Sequence, residues 1–328
     1  MNKILIFDTS SGSLNLGDYI IKKCAEKQLH QLFLNDYIVY TATHTPVTHF
    51  YQAMLNKTDI VRYANEAKHK IICGTNILSN SMDAISLNWN INIFNCKPYI
   101  NSVLMAVGCS KDFENLNLYT KFLYKKIFST SYIHSTRDDK TAIVLSHLGY
   151  KAINTGCVTL WNLNKEHCLK IPKKKNSSVV FTLTDYAQDF EKDQFLIDVL
   201  NCEYDDVYFW IQGDEDLKYL KKFKNIDKIH IIPPNLISYE NVLKLGVDYV
   251  GTRLHAGIYA MNYCCRSIII AVDNRAREMN KTNKLNCIER DSIDDLPRII
   301  ASDIITDVHL NEDNINRWKS QFINSSKV

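Results

Sequence analysis

The sequence predicts an α/β protein that is built from two doubly wound domains. Short runs of β-branched and aromatic residues alternate with stretches of helical composition, as in parallel sheets with crossover helices. Each apolar run stops at Gly, Ser, Thr, Asn or a charged residue. The alternation is interrupted by a Lys-, Pro- and Ser-containing segment at 165–178 and then begins again, which indicates a second domain.

The strand and helix candidates follow from this alternation. In the first half, strands are predicted over 3–8, 37–43, 70–73, 101–108, 131–134 and 151–155, with helices over 18–33 and 141–148. In the second half, strands are predicted over 179–183, 207–211, 228–232, 249–250 and 268–272, with helices over 239–245 and 292–300.

Two successive α/β domains joined by a linker predict a GT-B-like architecture, with the active site in the cleft between the domains. We place the domains at 1–168 and 176–310. A C-terminal helix within 311–328 is expected to pack back on the body, because Trp318 and Phe322 are four residues apart and share one helical face.

The composition is that of a globular protein with little net charge. Of the 328 residues, 46% are hydrophobic, and the formal net charge of +3 argues against nucleic acid as a partner. No apolar run approaches the roughly 18 residues of a membrane span. Ten cysteines without a CxxC pair predict reduced thiols, no zinc site, and a location in the cytoplasm or at the inner face of its membrane. The lysine run 173–175 is interpreted as solvated surface, and adhesion to anionic lipid is the secondary alternative.

Charged and polar residues follow two neighbouring strand candidates of the second half. The carboxyl ends of parallel strands meet at one edge of a sheet, so these side chains should share a crevice suited to anions. Two alternatives remain: Arg253 could be a buried partner of Asp248 or Asp273, and His255 could be a structural core residue. The residues that follow the strands are Arg253, His255, Asp273, Asn274, Arg275 and Arg277.

Two further candidates lie in the first half. Asp18 is placed in the first turn of a helix, after a polar turn that lacks both the dinucleotide fingerprint and the P-loop pattern. Its alternative role is to match the helix dipole. Arg137 stands before Asp138 and Asp139, and its alternative role is a clamp to one of these two acids.

Six segments, taken in their order and spacing, resemble the polysaccharide pyruvyltransferase family. Two departures occur: only Gly74-Thr75-Asn76 stands where the family often has a glycine-rich turn, and Val158 replaces a proline. The first departure bears on acceptor binding more than on donor binding. The segments are NLGD (15–18), VLMAVG (103–108), STRD (135–138), TGCVTLW (155–161), VGTRLHAGI (250–258) and SIIIAVDNRA (267–276).

The resemblance implies transfer of pyruvate from phosphoenolpyruvate to two hydroxyls of a sugar, forming a cyclic ketal. The acceptor would be a sugar of a cell-surface polysaccharide, such as a capsule or exopolysaccharide, or of its lipid-linked precursor. Phosphoenolpyruvate is a co-substrate, and neither a cofactor nor a metal is expected. The first domain would bind the acceptor and the second the donor, within the GT-B-like fold of the family.

On this basis each candidate receives a role. Arginine forks suit the carboxylate and phosphate of the donor, and a histidine that titrates near neutrality suits proton transfer. We assign His255 as general acid and Asp18 as base or acceptor ligand. Donor binding is assigned to Arg253, Arg137, Arg275, Arg277 and Asn274, and acceptor binding to Asn15, Asn76 and Asp273.

Two other functions fit the same pattern. A glycosyltransferase with a nucleotide-sugar donor would share the architecture and use the arginines to hold a diphosphate. A non-catalytic member that binds sugar or scaffolds an assembly should have lost the arginine and histidine constellation, which this chain keeps.

Overall fold

The computed structural model describes residues 1–55, 58–84, 89–109 and 113–324. Its strands pair in parallel, and helices connect them, so the predicted α/β class is confirmed. The strands are β1 (Lys3–Asp8), β2 (Tyr37–Ala42), β3 (His69–Cys73), β4 (Asn76–Leu78), β5 (Ser102–Met105), β6 (Gly108–Cys109), β7 (His134–Thr136), β8 (Ala152–Asn154), β9 (Ser178–Thr182), β10 (Asp206–Trp210), β11 (His230–Ile232), β12 (Asp248–Gly251), β13 (Ser267–Ala271) and β14 (Cys287–Glu289).

Most of the helices begin at a side chain that caps their free N–H groups, such as Asp138, Asp189, Asn235 and Asp273. The helices are α1 (Leu16–Leu32), α2 (Phe50–Leu55), α3 (Asp59–Glu66), α4 (Leu118–Ile127), α5 (Asp139–His147), α6 (Lys165–Cys168), α7 (Phe190–Glu203), α8 (Asp216–Leu220), α9 (Leu236–Leu243), α10 (Leu254–Asn262), α11 (Asn274–Asn283), α12 (Leu296–Ala301) and α13 (Glu312–Asn324). Short 3₁₀ turns lie at Lys97–Tyr99, Val158–Leu160, Asp185–Ala187 and Arg290–Asp295.

The contacts divide the chain into two units. Met1–Ser13, Ile21–Trp161 and the chain from Asn311 onward form the first, and Leu14–Ile20 with Asn162–Leu310 form the second. The segment Leu14–Ile20 is therefore grouped with the second unit, although we had counted it in the domain 1–168. The physical reason is that the N–H of Leu16 donates to the carbonyl of Gln212 (3.0 Å), which follows β10.

The first unit contains a parallel sheet in the order β2-β1-β3-β5. The segment after β5 continues beside the parallel pair β7 and β8. The N–H of Val107 donates to the carbonyl of Ser135 (3.3 Å), and the N–H of Arg137 donates to the carbonyl of Val107 (3.0 Å). The side chains of Phe7, Ile72 and Leu104 lie in the hydrophobic core of this unit.

Strand β7 is displaced from its predicted position at 131–134. The backbone of Ile133 is bonded on both sides by the side-chain amide of Gln321, with an N–H to Oε1 distance of 2.7 Å and a Nε2 to carbonyl distance of 3.0 Å. Tyr132 stacks on Phe322 with ring centroids 5.7 Å apart. This segment therefore supports α13, and the strand begins only at His134.

Helix α13 packs on the first unit through the two aromatic residues that the sequence singles out. Trp318 is fully buried and meets Trp161 edge to face at 5.7 Å. Phe322 meets Phe33 edge to face at 5.5 Å. Residues 325–328 of the predicted helical segment 311–328 lie outside the described residues. In the part of the chain that the structure describes, no helix has the length and apolar character that crossing a membrane requires.

The second unit contains a six-stranded parallel sheet in the order β11-β10-β9-β12-β13-β14. Numbered from β9, this is the classical Rossmann order 3-2-1-4-5-6. The order reverses between β9 and β12, which pair directly from Asp248 and Val179 to Gly251 and Thr182. Ligands of open parallel sheets bind outside the carboxyl ends of the strands at such a switch point. The fold therefore directs attention to the residues that follow Thr182 and Gly251.

Candidate functional site

Residues that follow β9, β10, β12 and β13 form one connected group at the switch point of the second unit. We call Arg253, Asp185, Asp216, Tyr186 and Arg275 the switch-point cluster. Arg253 comes two residues after β12, and Asp185 and Tyr186 follow β9 within a 3₁₀ turn. Asp216 begins α8 after β10, and Arg275 lies in the first turn of α11 after β13.

Arg253 is the centre of the switch-point cluster and is only 4% exposed. One terminal nitrogen, Nη2, donates to Asp185 Oδ1 at 2.6 Å and also to Asp216 Oδ1, while Nε donates to the carbonyl of Leu183 at 3.0 Å. The ring of Tyr186 lies 5.1 Å from the guanidinium carbon. The pairing that we had considered, with Asp248 or Asp273, does not occur: Asp248 pairs with Arg266 and Asp273 with Arg275.

The carboxylates around Arg253 keep it charged. Burial lowers its pKa, but Asp216, Tyr186 and Asp185 outweigh the burial and hold the pKa above its ordinary value. Arg253 forms ion pairs with two carboxylates, so it adds no net positive charge to the switch-point cluster. Among the described residues, its second terminal nitrogen, Nη1, has no hydrogen-bond partner.

Tyr186 joins Arg253 to Arg275. Its hydroxyl accepts a hydrogen bond of 2.8 Å from Nη2 of Arg275, while its ring lies over the Arg253 guanidinium. Arg275 also donates to Asp273 Oδ2 through Nε (3.0 Å) and Nη2 (2.7 Å). Asp273 Oδ1 caps α11 by accepting from the N–H of Ala276 at 3.0 Å. The structure thus brings together three of the predicted residues, Arg253, Asp273 and Arg275.

Arg277 and Asn274 have a different environment. Nε of Arg277 donates to Glu289 at 2.8 Å, and Nη1 donates to the side-chain oxygen of Asn274 at 3.3 Å. The Glu289 carboxylate raises the pKa of Arg277. This pair is exposed and belongs to the edge formed by β14, and the described contacts do not link it to Tyr186.

His255 faces the start of α1, where Asn15 precedes the helix and Gly17 lies in its first turn. The side-chain oxygen of Asn15 accepts from the N–H of Gly17 (2.9 Å) and from Nε2 of Gln212 (3.0 Å). A Cβ at Gly17 would lie 3.1 Å from each of these two side chains and 3.4 Å from Nδ1 of His255, so a larger residue would require these side chains to shift. Asp18 is the next residue, and its N–H donates to the carbonyl of Asn15 at 3.0 Å. The structure therefore gathers Asn15, Asp18 and His255 in the second unit.

Arg137 and Asn76 form a separate pair in the first unit. Nη2 of Arg137 donates to the side-chain oxygen of Asn76, and both side chains lie beside Gly108. The clamp that we had considered is absent. Asp138 instead caps α5, with Oδ1 accepting from the N–H and the hydroxyl of Thr141 at 2.7 Å each. Within residues 1–55, 58–84, 89–109 and 113–324, Arg137 has no carboxylate within ion-pair distance.

Asp185, Tyr186, Asp216 and Gln212 were missed as site residues. The usable signal was position: these residues directly follow β9 and β10, the strands next to the switch point. What the sequence could not indicate is that two of them would surround Arg253 from 68 and 37 residues away. In the described part of the chain, no group of three or more His, Cys, Asp and Glu side chains is suited to a metal ion.

Comparison with known proteins supports both fold and family. The sequence profile of the family described as "Polysaccharide pyruvyl transferase" matches residues 15–274. The chain matches no curated protein in sequence. The UDP-GlcNAc 2-epimerase of Methanocaldococcus jannaschii, in complex with UDP-GlcNAc and UDP, aligns over 100% of both chains with a TM-score of 0.51 and 13% identity. The UDP-GlcNAc 2-epimerase of Neisseria meningitidis, bound to UDP-GlcNAc, aligns over 99% of both chains with a TM-score of 0.50 and 10% identity. At these identities the likeness shows the fold, which is of the GT-B type with Rossmann-like domains.

Proposed function

Because the chain belongs to the polysaccharide pyruvyl transferase family, we propose that it transfers pyruvate from phosphoenolpyruvate to two hydroxyls of a sugar. The product is a cyclic ketal on a cell-surface polysaccharide or on its precursor. The observation that carries the proposal is the switch-point cluster, in which two arginines meet on Tyr186 at the ligand-binding edge of a Rossmann-type sheet.

The donor needs cationic groups that can reach its carboxylate and its phosphate. Of Arg253 and Arg275, Arg275 is the better placed to bind the donor. Its side chain is 43% exposed, and it forms an ion pair with one carboxylate, that of Asp273. Arg253 offers only Nη1, since its other nitrogens are held by Leu183, Asp185 and Asp216. In this proposal Arg275 binds the donor directly, while Arg253 holds Tyr186 in place and offers the N–H groups of Nη1.

Proton transfer is assigned to His255 and Asp18. His255 gives a proton to C3 of phosphoenolpyruvate, and a sugar hydroxyl attacks C2 while its own proton passes to Asp18. The bond between C2 and the phosphate oxygen then breaks, with its electron pair leaving on phosphate. The second hydroxyl attacks C2, closes the ring and loses its proton to the departing phosphate. The position of Gly17 supports this assignment, because the residue precedes Asp18 and its Cβ position would lie 3.4 Å from Nδ1 of His255.

The remaining residues keep the roles that the family resemblance gives them, as proposals. Asn15, Asn76 and Asp273 are assigned to the hydroxyls of the acceptor, and Arg137 to an anionic group. Arg137 is suited to that role because its only described side-chain partner is the neutral amide of Asn76. Arg277 and Asn274 are left out of the donor site, because they are bonded to each other and Arg277 also pairs with Glu289.

A nucleotide-sugar donor is the second candidate. The two epimerase structures compared above are described as complexes with UDP-GlcNAc. An enzyme of that kind would use Arg275 and Arg253 to hold a diphosphate. The two donors can be told apart by the stabilisation that each ligand gives to the folded protein, since only a ligand that binds the native state raises the melting temperature.

The test is release of inorganic phosphate from phosphoenolpyruvate in the presence of a panel of methyl glycosides with adjacent or 4,6-spaced hydroxyls. We expect acceptor-dependent release by the parent protein and a loss of about 100-fold or more in kcat for His255→Ala, as is typical of general acids. His167→Ala is the matched control, because Nε2 of that imidazole donates to the carbonyl of Met261 at 2.8 Å and lies 3.8 Å from Sγ of Cys264.

Two results would contradict the proposal. One is a folded His255→Ala variant that turns over like the parent. The other is a parent protein that is stabilised by UDP-GlcNAc, is not stabilised by phosphoenolpyruvate and releases no phosphate from it.

A further inference from the structure

Helix α4 presents an unusual outer face. The buried side of this ten-residue helix is formed by Thr120, Leu123, Tyr124 and Ile127, and the last three belong to the hydrophobic core of the first unit. On the opposite side, Leu118 is 84% exposed and Phe122 is 57% exposed. These two residues are four apart, so their side chains are neighbours on the helix surface and form a single apolar patch.

Three lysines surround that patch. Lys121 and Lys125 lie on one flank of Leu118 and Phe122, and Lys126 lies on the other, since residues advance by 100° along a helix. All three are exposed, and among the described residues none of them has an ion-pair partner. The helix contains no acidic residue. Lys125 and Lys126 also suit the negative end of the helix dipole, which does not account for Lys121, Leu118 or Phe122.

The lysine run 173–175, which the sequence suggested as a lipid contact, is a poorer candidate. Lys175 donates to the carboxylate of Glu203 at 2.9 Å and lies 4.9 Å from the centre of the Tyr204 ring. The backbone carbonyl of Lys173 accepts from Arg266 at 3.1 Å and from the N–H of Ile304 at 2.9 Å. Parts of this run are thus bound within the protein, and Lys175 already has an acidic partner.

We propose that the outer face of α4 docks on an anionic lipid surface. Leu118 and Phe122 enter the boundary between headgroups and acyl chains, while the lysine ammonium groups reach back to the anionic headgroups. The commitment to lipid rests on charge complementarity: a face with an apolar centre, lysines on both flanks and no acid matches a negatively charged interface. The contact would be peripheral and reversible.

The test is co-sedimentation of the full chain with vesicles of phosphatidylglycerol and phosphatidylcholine, compared with vesicles of phosphatidylcholine alone. We expect binding to the anionic vesicles that weakens as salt is added, because screening shortens the range of the lysine charges. Replacing Lys121, Lys125 and Lys126 by Gln should weaken binding on the order of 100-fold. Replacing Leu118 and Phe122 by Ser should weaken it by about tenfold or more.

Matched controls lie in the second unit. Lys221, Lys222 and Lys224 are also three closely spaced exposed lysines, so their replacement by Gln removes the same charge elsewhere. Ile237 and Leu245 are 70% and 68% exposed and serve as the apolar control for replacement by Ser. All four variants change exposed side chains, and circular dichroism should show an unchanged fold. Both controls should bind the vesicles like the parent.

Three outcomes would overturn the proposal. The parent could bind both kinds of vesicle equally or neither, or the α4 variants could bind as well as the controls. Analytical ultracentrifugation could also show that the parent self-associates and that the Leu118→Ser/Phe122→Ser variant does not. The face would then be an interface between copies of this chain.

Discussion

Arg253 in the second unit lies between two carboxylates, whereas Arg137 in the first unit is bonded to the neutral side chain of Asn76. Both residues follow a strand of a parallel sheet, and both belong to segments that carry the family resemblance. Their surroundings differ in charge. Asp185 and Asp216 outweigh the charge of Arg253, while Arg137 has no carboxylate in contact among the described residues.

This difference separates two kinds of arginine that look alike in the sequence. A buried guanidinium with two acidic partners is a fixed part of the framework, because removing it would leave charges buried without compensation. A partly buried guanidinium with an amide partner keeps its charge available for a ligand. Arg275 is intermediate, since it has one carboxylate partner and is 43% exposed.

Replacing Arg253 by Ala should destabilise the protein strongly. The substitution leaves Asp216, which is fully buried, without its guanidinium, and broken buried pairs typically cost about 3–5 kcal/mol. Arg137→Ala removes one hydrogen bond to a neutral group and should cost about 1 kcal/mol or less. Urea unfolding monitored by circular dichroism measures both values.

The double variant Arg253→Ala/Asp216→Asn is the control for this explanation. If unpaired charge is the cause, neutralising Asp216 should recover part of the stability that Arg253→Ala loses. Equal stability of Arg253→Ala and Arg137→Ala would show that the two arginines are not held differently.

The contribution of strand β7, which leads to Arg137, to the stability of the protein should depend on pH. His134 is fully buried, with Nδ1 accepting from the N–H of Leu104 (3.2 Å) and Nε2 bonded to the carbonyl of Ser129 (2.7 Å). Burial lowers its pKa to about 4 from 6.5. Between pH 6.5 and pH 4, His134 is therefore protonated in the unfolded chain but neutral in the folded chain. The stability that the neutral side chain contributes above pH 6.5 is lost as the pH falls toward 4. The loss from this group is about 3 kcal/mol.

The measurement compares the free energy of unfolding of the parent with that of His134→Gln at pH 7.5 and pH 4. The advantage of the parent should shrink by about 3 kcal/mol on acidification. A difference that stays constant between the two pH values would mean that His134 titrates normally and that β7 has no such dependence.

Much of the fold could be predicted from the sequence, because parallel strands are continuous apolar runs that end at polar residues. The predicted strands at 3–8, 179–183 and 268–272 lie within one residue of β1, β9 and β13. Strand β7 was displaced, because the backbone of Ile133 is bonded by Gln321, 188 residues away. Strand β14 was not predicted: it has three residues, and the pairing of Cys287 with Ile269 that defines it is invisible in a short run.

The site could be predicted only in part. The positions after β12 and β13 identified Arg253, Asp273 and Arg275, because strand ends can be read from hydropathy alone. The partners of these residues could not be predicted. Which carboxylate meets Arg253 depends on strand order, and the order β10-β9-β12 places residues from three distant segments side by side. Arg275 and Arg277 likewise look equivalent in the sequence, although one contacts Tyr186 and the other Glu289.

Two glycines offer a smaller test of the same distinction. A Cβ at Gly213 would lie 2.5 Å from Nη2 of Arg253, which its carboxylates prevent from moving. A Cβ at Gly108 would lie 2.1 Å from the side-chain oxygen of Asn76 and 3.0 Å from Nη2 of Arg137. Overpacking against a side chain that cannot move lowers the stability of a protein by about 1–3 kcal/mol. The loss is smaller where the neighbouring side chain can rotate away.

We therefore expect Gly213→Ala to be more destabilising than Gly108→Ala in thermal unfolding. The reverse order would indicate that the Asn76–Arg137 pair is the more rigid of the two. Gly149→Ala is a reference for glycine replacement without crowding. Apart from its chain neighbours, no atom of the described residues lies within 4 Å of its Cβ position, although its φ of +90° adds backbone strain.

The most direct test of the account is calorimetric titration of phosphoenolpyruvate into the parent, Arg275→Ala and Arg277→Ala. The two variants remove the same chemical group from the same helix, two residues apart. If the switch-point cluster binds the donor, Arg275→Ala should weaken binding by about tenfold or more, as expected for the loss of a charged hydrogen bond. Arg277→Ala should bind within about twofold of the parent, because its guanidinium is held by Glu289. Equal affinities for all three proteins, or a loss confined to Arg277→Ala, would contradict the assignment of this cluster as the donor site.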